Sequence, residues 1–176
     1  MSVIEQELLT RSSLSSSLWH AQARSGISEA ITSADAPVFG PERREISFEV
    51  SAILANQLWF RPTLENLLEF LSLGENWNGY GERPIHEGAI KKAVAILNAV
   101  CREGPAPHVV PTSDGGVQIE WEAYQYEIEI EIPPVGPALI LIVDPSGEEK
   151  EVSAGSNSEV WIHIRDLLTQ LRGAVD

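Results

Sequence analysis

The sequence predicts an α+β protein with two helices, an antiparallel sheet of about four strands, and a C-terminal helix packed on one sheet face. Apolar residues recur at helical spacing over residues 62–101, alternate with glutamate over 117–132, and return to helical spacing after residue 159. Helices on either side of a run of strands favour helices on one face of an antiparallel sheet. With 43% apolar and 22% charged residues, the 176-residue chain can bury a core.

The first forty residues differ from the rest of the chain. Arg11–Trp19 is serine-rich with isolated leucines, and Ala34–Pro41 has the composition of a linker. We therefore predict a weakly structured N-terminal arm over residues 1–40 and a single α+β domain over residues 41–176. A short helix that becomes ordered on the domain or on a partner is the alternative for the arm. Residues 46–60 are apolar but ambiguous between strand and helix.

Two helices are predicted next. Thr63 is expected to cap the first helix, which ends before Gly74. Pro84 suits the first turn of the second helix, and Gly104 with Pro105 ends it. The apolar stripes are Leu64, Leu67, Leu68 and Leu71 in the first helix, and Ile90, Ala93, Val94, Leu97 and Cys101 in the second.

The strands come after these helices. Residues 117–122 and 124–132 are apolar at every second position, which is typical of strands with one buried face. The continuous apolar strand Ala138–Val143 follows, and a tight turn at Asp144–Gly147 leads to a further strand. A capping box at Ser156–Glu159 opens the last helix. Its apolar stripe is Val160, Ile164, Leu167, Leu168 and Leu171.

Charge restricts the partners that this chain can have. The net charge is −14, and residues 101–151 hold two basic against eleven acidic groups. Such a segment repels phosphate, which argues against direct binding to nucleic acid or to anionic membranes. The chain also has a single cysteine and no apolar run long enough to cross a bilayer. Residues 1–9 carry two glutamates and no basic group, so we expect no secretory signal. We expect a cytoplasmic protein; the sequence does not indicate its oligomeric state.

The first candidate site is an acidic sheet face. If strands 117–122 and 124–132 form a hairpin, five carboxylates share one face, and like charges directly opposite one another are destabilising. A basic partner would relieve that repulsion and would be attracted at long range. A solvated face that keeps the protein soluble is the alternative, since exposed polar faces are ordinary in antiparallel sheets. The predicted partner-binding residues are Glu120, Glu122, Glu127, Glu129 and Glu131.

The second candidate site is the glycine-rich loop Asn76–Gly81. Its aromatic residues Trp77 and Tyr80 could stack on a sugar, a base or a peptide. Alternatively, they fill the gap between the helices and the sheet.

This loop and the hairpin after it resemble a family of small bacterial proteins of uncharacterised function. The family pattern is a Trp-Asp-Gly-Tyr-Gly loop before a proline and a helix, followed by a proline, an Asp-Gly-Gly turn and a Glu-Trp pair. The resemblance spans residues 64–132 and implies a bacterial, cytoplasmic protein with no particular activity. Asn78 replaces the aspartate of the pattern. The matching residues are Trp77, Gly79, Tyr80, Gly81 and Pro84, then Pro111, Asp114, Gly115, Gly116, Glu120 and Trp121.

The sequence does not predict catalysis. Asp114, Glu148 and Lys150 follow the order of a metal-dependent nuclease core, but that string is short and common, and the local acidity would repel a nucleic acid. The four histidines are scattered, Cys101 ends an apolar stripe, and no phosphate-binding glycine loop or nucleophile elbow is present. We expect no catalytic residue, no metal and no cofactor.

These observations predict a non-enzymatic protein that binds a basic protein partner. It would act as an inhibitor, as an antitoxin-like partner, or as an accessory subunit of a bacterial defence complex. A small-ligand module built on Trp77 and Tyr80 is the alternative, and a metal-dependent nuclease is the third interpretation.

Overall fold

The computed structural model describes residues 19–24, 28–33, 45–101, 104–155 and 159–173. Eight strands and four helices lie in these ranges, and a 3₁₀ turn at Phe70–Ser72 continues the second helix. In chain order they are β1 Trp19–Arg24, β2 Ser28–Ser33, β3 Glu45–Glu49, α1 Ala52–Ala55, α2 Phe60–Glu69, α3 Glu87–Val100, β4 His108–Pro111, β5 Val117–Ala123, β6 Tyr126–Ile132, β7 Ala138–Val143, β8 Glu149–Ala154 and α4 Val160–Gly173.

The strands form two antiparallel sheets in chain order, β1-β2-β3 and β4-β5-β6-β7-β8. The α+β class is therefore confirmed, with a five-stranded main sheet where about four strands were predicted. The additional strand is β4, which has four residues and ends in Pro111. A proline within so short a run hides the strand in the sequence, and an edge strand is a position where a sheet tolerates one.

Part of the predicted N-terminal arm lies outside the described residues, as does most of the predicted capping box. Strands β1 and β2 fall within residues 1–40; β1 pairs with β2, and β2 pairs with β3. The rest of that range and Ser156–Ser158 are not among the described residues, so the division of the chain at residue 40 stays a prediction. The ambiguous stretch 46–60 divides into strand and helix: Ile46 and Phe48 are buried in β3, and α1 follows.

Both predicted helix starts are wrong by about one turn. Helix α2 begins at Phe60, and Thr63 lies inside it, where its hydroxyl donates to the Trp59 carbonyl over 2.9 Å instead of capping the helix. The helix can begin before Pro62 because the first-turn N–H groups have no partner within a helix, so a proline there removes none. Helix α3 begins at Glu87, after Pro84, and the His86 imidazole accepts from the Gly88 N–H at its start.

One core joins the inner face of the main sheet to helices α2, α3 and α4. Cys101 is buried there, and burial raises the pKa of its thiol, so the thiol stays protonated and is a poor nucleophile. Trp121 is buried as predicted and donates its indole N–H to the Pro105 carbonyl over 3.2 Å. Trp161, absent from the predicted stripe of α4, is also buried and donates to the Gly155 carbonyl over 2.7 Å.

The β4–β5 turn is joined to the segment before α3. The Arg83 N–H donates to the Ser113 carbonyl over 2.9 Å, and the His86 N–H donates to the Gly115 carbonyl over 2.8 Å. Gly115 has φ +93°, and a Cβ atom there would lie 2.7 Å from the Pro84 carbonyl oxygen. This position requires glycine for two reasons, its backbone conformation and the close approach of another backbone segment.

The two reasons can be separated by mutation. Gly115→Ala is expected to lower the free energy of unfolding by more than Gly136→Ala. Gly136 has a similar φ of +101° but no atom within 4 Å of its Cβ position. Its alanine variant should therefore lose only the conformational contribution to the free energy of unfolding, about 1–2 kcal/mol. Chemical denaturation of both variants measures the difference, and equal losses would show that the contact with Pro84 is unimportant.

Candidate functional site

The outer face of the main sheet carries all five glutamates of the predicted binding site. In the β5–β6 hairpin, Glu120 pairs with Glu129 and Glu122 with Glu127, while Glu131 pairs with Gln118. Their neighbours along each strand point inward and are buried, except Ala123 and Tyr126 beside the hairpin turn, which are half-buried. The structure therefore brings the predicted residues together on one surface.

This outer face is open in the described part of the chain. Each outward residue of β4–β8 is exposed or half-buried, because the helices pack against the other side of the sheet. None of the outward residues in these five strands is lysine or arginine. His108 is the one histidine among them, and its Nδ1 lies 3.1 Å from a Glu120 carboxylate oxygen.

Glu120 differs from the other four glutamates because it has polar partners. One of its oxygens lies beside His108, and the other accepts from the Gln118 amide over 2.9 Å. The exposed pair Glu122 and Glu127 lies at the end of the hairpin, directly opposite each other. Like charges directly opposite each other in such a pair cost a few tenths of a kcal/mol.

Two further parts of this face were not predicted from the sequence. Glu149 and Glu151 of β8 point to the same side, because they pair with Val143 and Leu141 of β7. Lys150 points to the opposite side. Alternation along β8 would have revealed these two carboxylates once the β7–β8 turn fixed the register.

The second missed part is apolar. Strand β7 contributes Leu139, Leu141 and Val143 to the outer face, and these three residues are called the apolar strip below. Leu139 is 41% exposed, and the other two are half-buried. A continuous apolar strand has no period in its sequence, so nothing there distinguished its outward residues from its inward ones.

The aromatic loop is held by its own hydrogen bonds. Glu82 is buried, and its carboxylate accepts from the backbone N–H groups of Tyr80 over 3.1 Å and Asn78 over 3.4 Å. The Asn76 side chain accepts from the Gly81 N–H over 2.8 Å. The role of Glu82 was not predicted, because a glutamate in a polar loop is ordinarily solvated.

The loop places its two aromatic residues differently. Tyr80 is 91% exposed, whereas Trp77 is half-buried. The Trp77 indole N–H is buried, and no hydrogen-bond acceptor lies within reach of it among the described residues. A stacking contact on this loop would therefore be made by Tyr80.

The residues of the possible nuclease core do not come together. Asp114 lies in the β4–β5 turn, where its carboxylate accepts from Thr112 and from the Gly116 N–H. Glu148 and Lys150 lie at the β7–β8 turn, at the opposite end of the sheet and beyond two intervening strands. In the ranges that the structure describes, no three His, Cys, Asp or Glu side chains are grouped as metal ligands.

A small apolar cavity lies between α3 and α4. Its volume is about 60 Å³, whereas pockets for drug-sized ligands have about 300–1,000 Å³. Partial burial lowers the pKa of Lys92, whose ammonium group donates to the Gly136 carbonyl over 2.5 Å. The lining residues are Lys92, Ala95, Ile96, Ala99 and Trp161.

Comparison with protein-family models, curated proteins and solved structures finds no match to this chain. The resemblance carried by the aromatic loop and the Asp-Gly-Gly turn stays a prediction. Among the described helices, none combines the length and the apolar character needed to cross a membrane.

Repulsion between glutamates on the outer sheet face can be measured through its effect on the free energy of unfolding. Glu127→Gln is expected to raise the free energy of unfolding by a few tenths of a kcal/mol at low salt, because it removes one charge from the pair with Glu122. The gain should shrink at high salt, where exposed charges are screened. Glu65→Gln, at an exposed position on α2, is the matched control. An equal gain in both variants would indicate an effect of net charge and not of the sheet face.

Proposed function

We propose that the protein is a non-enzymatic binding protein whose outer sheet face covers a basic surface of another protein. The observation that carries this proposal is the set of seven glutamates on one open sheet face that has no lysine or arginine. These glutamates are Glu120, Glu122, Glu127, Glu129, Glu131, Glu149 and Glu151.

The electrostatics favour a cationic protein as the partner. A concentration of like charge on one face costs stability in the free protein, and a cationic partner turns that cost into attraction. Complementary potentials also accelerate encounter and exclude partners of the wrong charge. Phosphate backbones and anionic lipid carry the same sign as the face, so direct binding to nucleic acid or to membranes is disfavoured.

The biological roles that fit such a face are those in which a basic surface is blocked or bridged. An inhibitor or antitoxin-like protein in the bacterial cytoplasm would cover the basic surface of its target. An accessory subunit of a defence complex would use the same contact to join the assembly. Both roles depend on the same glutamates, and the identity of the partner distinguishes them.

Charge reversal tests the face directly. The tagged protein is used to capture partners from a lysate of its source organism, and the partners are identified by mass spectrometry at about 50 mM and 500 mM salt. A basic protein is expected with wild type at low salt and is expected to be lost at high salt. It should also be lost with the double variant E127K/E129K.

The control keeps the same change of net charge elsewhere. Glu65 and Glu69 are exposed on α2, on the helical side of the sheet, and E65K/E69K should retain the partner. Recovery of the same basic protein with E127K/E129K as with wild type would contradict the proposal. Circular dichroism of both variants confirms that the fold is intact.

Exposure of Tyr80 supports a second candidate, a small-ligand site at the aromatic loop. Tyrosine offers a large contact surface with few rotatable bonds, and hydrogen bonds to Glu82 fix the backbone that carries it. A thermal-shift screen of sugars, nucleosides and short peptides is expected to find a compound that stabilises wild type and not Tyr80→Ala. A screen in which every stabilising compound acts equally on both proteins would exclude Tyr80 as the contact.

A further inference from the structure

The outer face has an apolar middle and acidic flanks. The apolar strip on β7 lies between β6 and β8, and both of those strands present carboxylates on the same side. Across the strands, the neighbours of the strip are Glu131 and Ser153 beside Leu139, Glu129 and Glu151 beside Leu141, and Glu127 and Glu149 beside Val143.

The width and the length of this apolar and acidic pattern match one α-helix. Neighbouring strands lie about 4.8 Å apart, so the carboxylates of β6 and β8 follow the strip at roughly that distance on each side. A helix is about 10 Å wide with its side chains, so a helix lying along β7 extends over both flanks. Outward residues two positions apart in a strand are about 6.7 Å apart, so the strip is about 13 Å long and two to three helical turns cover it.

Other shapes fit this pattern less well. An extended peptide points alternate side chains to opposite sides, so it cannot place apolar groups on the strip and cations along both flanks at once. The apolar face of a second sheet spans several strands and would lie over carboxylates as well as over the strip. An amphipathic helix carries a narrow apolar stripe with polar positions on either side of it.

We infer that the outer face binds a basic amphipathic helix, with apolar residues on Leu139, Leu141 and Val143 and with Lys or Arg side chains reaching the glutamates of β6 and β8. This inference rests on the proposed function and specifies its partner. The apolar contact provides the register of the complex, and the charges on both flanks orient the helix along β7.

Two synthetic peptides of identical composition test this inference. Each has about 15 residues of Leu, Lys and Ala, a length at which a helix is marginal in water and can form on binding. One peptide places its leucines on a single helical face with lysines on both sides, and the other has the same residues in scrambled order. Fluorescence anisotropy of the labelled peptides gives their affinities for the full-length protein.

The amphipathic peptide is expected to bind wild type roughly tenfold more tightly than the scrambled one, since it alone buries leucines on the strip. Leu139→Ser should remove most of that preference. Ile53→Ser should keep it, because Ile53 has a similar exposure of 46% but lies on α1. E127Q/E129Q should weaken both peptides, whereas E65Q/E69Q should weaken neither.

The outcomes separate this inference from the proposal beneath it. Equal affinity for the two peptides, or a preference unchanged by Leu139→Ser, overturns the helix inference; sensitivity to E127Q/E129Q would then still support the acidic face. If E127Q/E129Q and E65Q/E69Q weaken peptide binding equally, the helix inference and the proposed function are both overturned. Failure of both peptides to bind also overturns both.

Discussion

The structure depends on burying one face of the main sheet against the helices. The inward residues of β5 and β6 are β-branched or aromatic except Ala123, and Ile119, Ile128 and Ile130 are completely buried in the core shared with the helices. Since side chains alternate along a strand, a shift of one residue in either strand would put glutamates into this core. The core therefore fixes the register, and the register in turn sets glutamate opposite glutamate on the outer face. The acidic face follows from the packing on the other side of the sheet.

The outward residues of the sheet could be predicted where apolar and polar residues alternate along a strand. They could not be predicted where every residue of a strand is apolar. The pattern over residues 117–132 predicted the five glutamates, and the structure places all of them outward. Strand β7 is apolar at every position, because its outward residues are only partly exposed and a leucine or valine is tolerated there. Its two faces become distinct only when pairing with Glu129 and Glu131 fixes which residues point outward. The apolar strip therefore needed the structure.

Local signals failed where tertiary contacts set the boundary. Thr63 is a good capping residue, but α2 extends one turn further because the apolar ring of Phe60 is buried. The aromatic loop was recognisable as a loop from its asparagines and glycines. Its order depends on the buried carboxylate of Glu82, which is four residues from Asn78 and accepts from that residue's N–H group. No pattern in the sequence distinguishes this glutamate from a solvated one.

The two chemistries of the outer face restrict each other's partners. An exposed apolar strip on its own would favour association between copies of the chain. The carboxylates on both sides of the strip oppose this self-association, because two such faces in contact would bring glutamates against each other in a desolvated interface. The same carboxylates attract a cationic surface. Contact with the apolar strip then stabilises the complex if the partner also carries apolar groups at the matching spacing. Discrimination comes from repulsion of the wrong surface as much as from attraction of the right one. A face of this composition accordingly costs the free protein some stability and gains selectivity for a partner that is both basic and apolar.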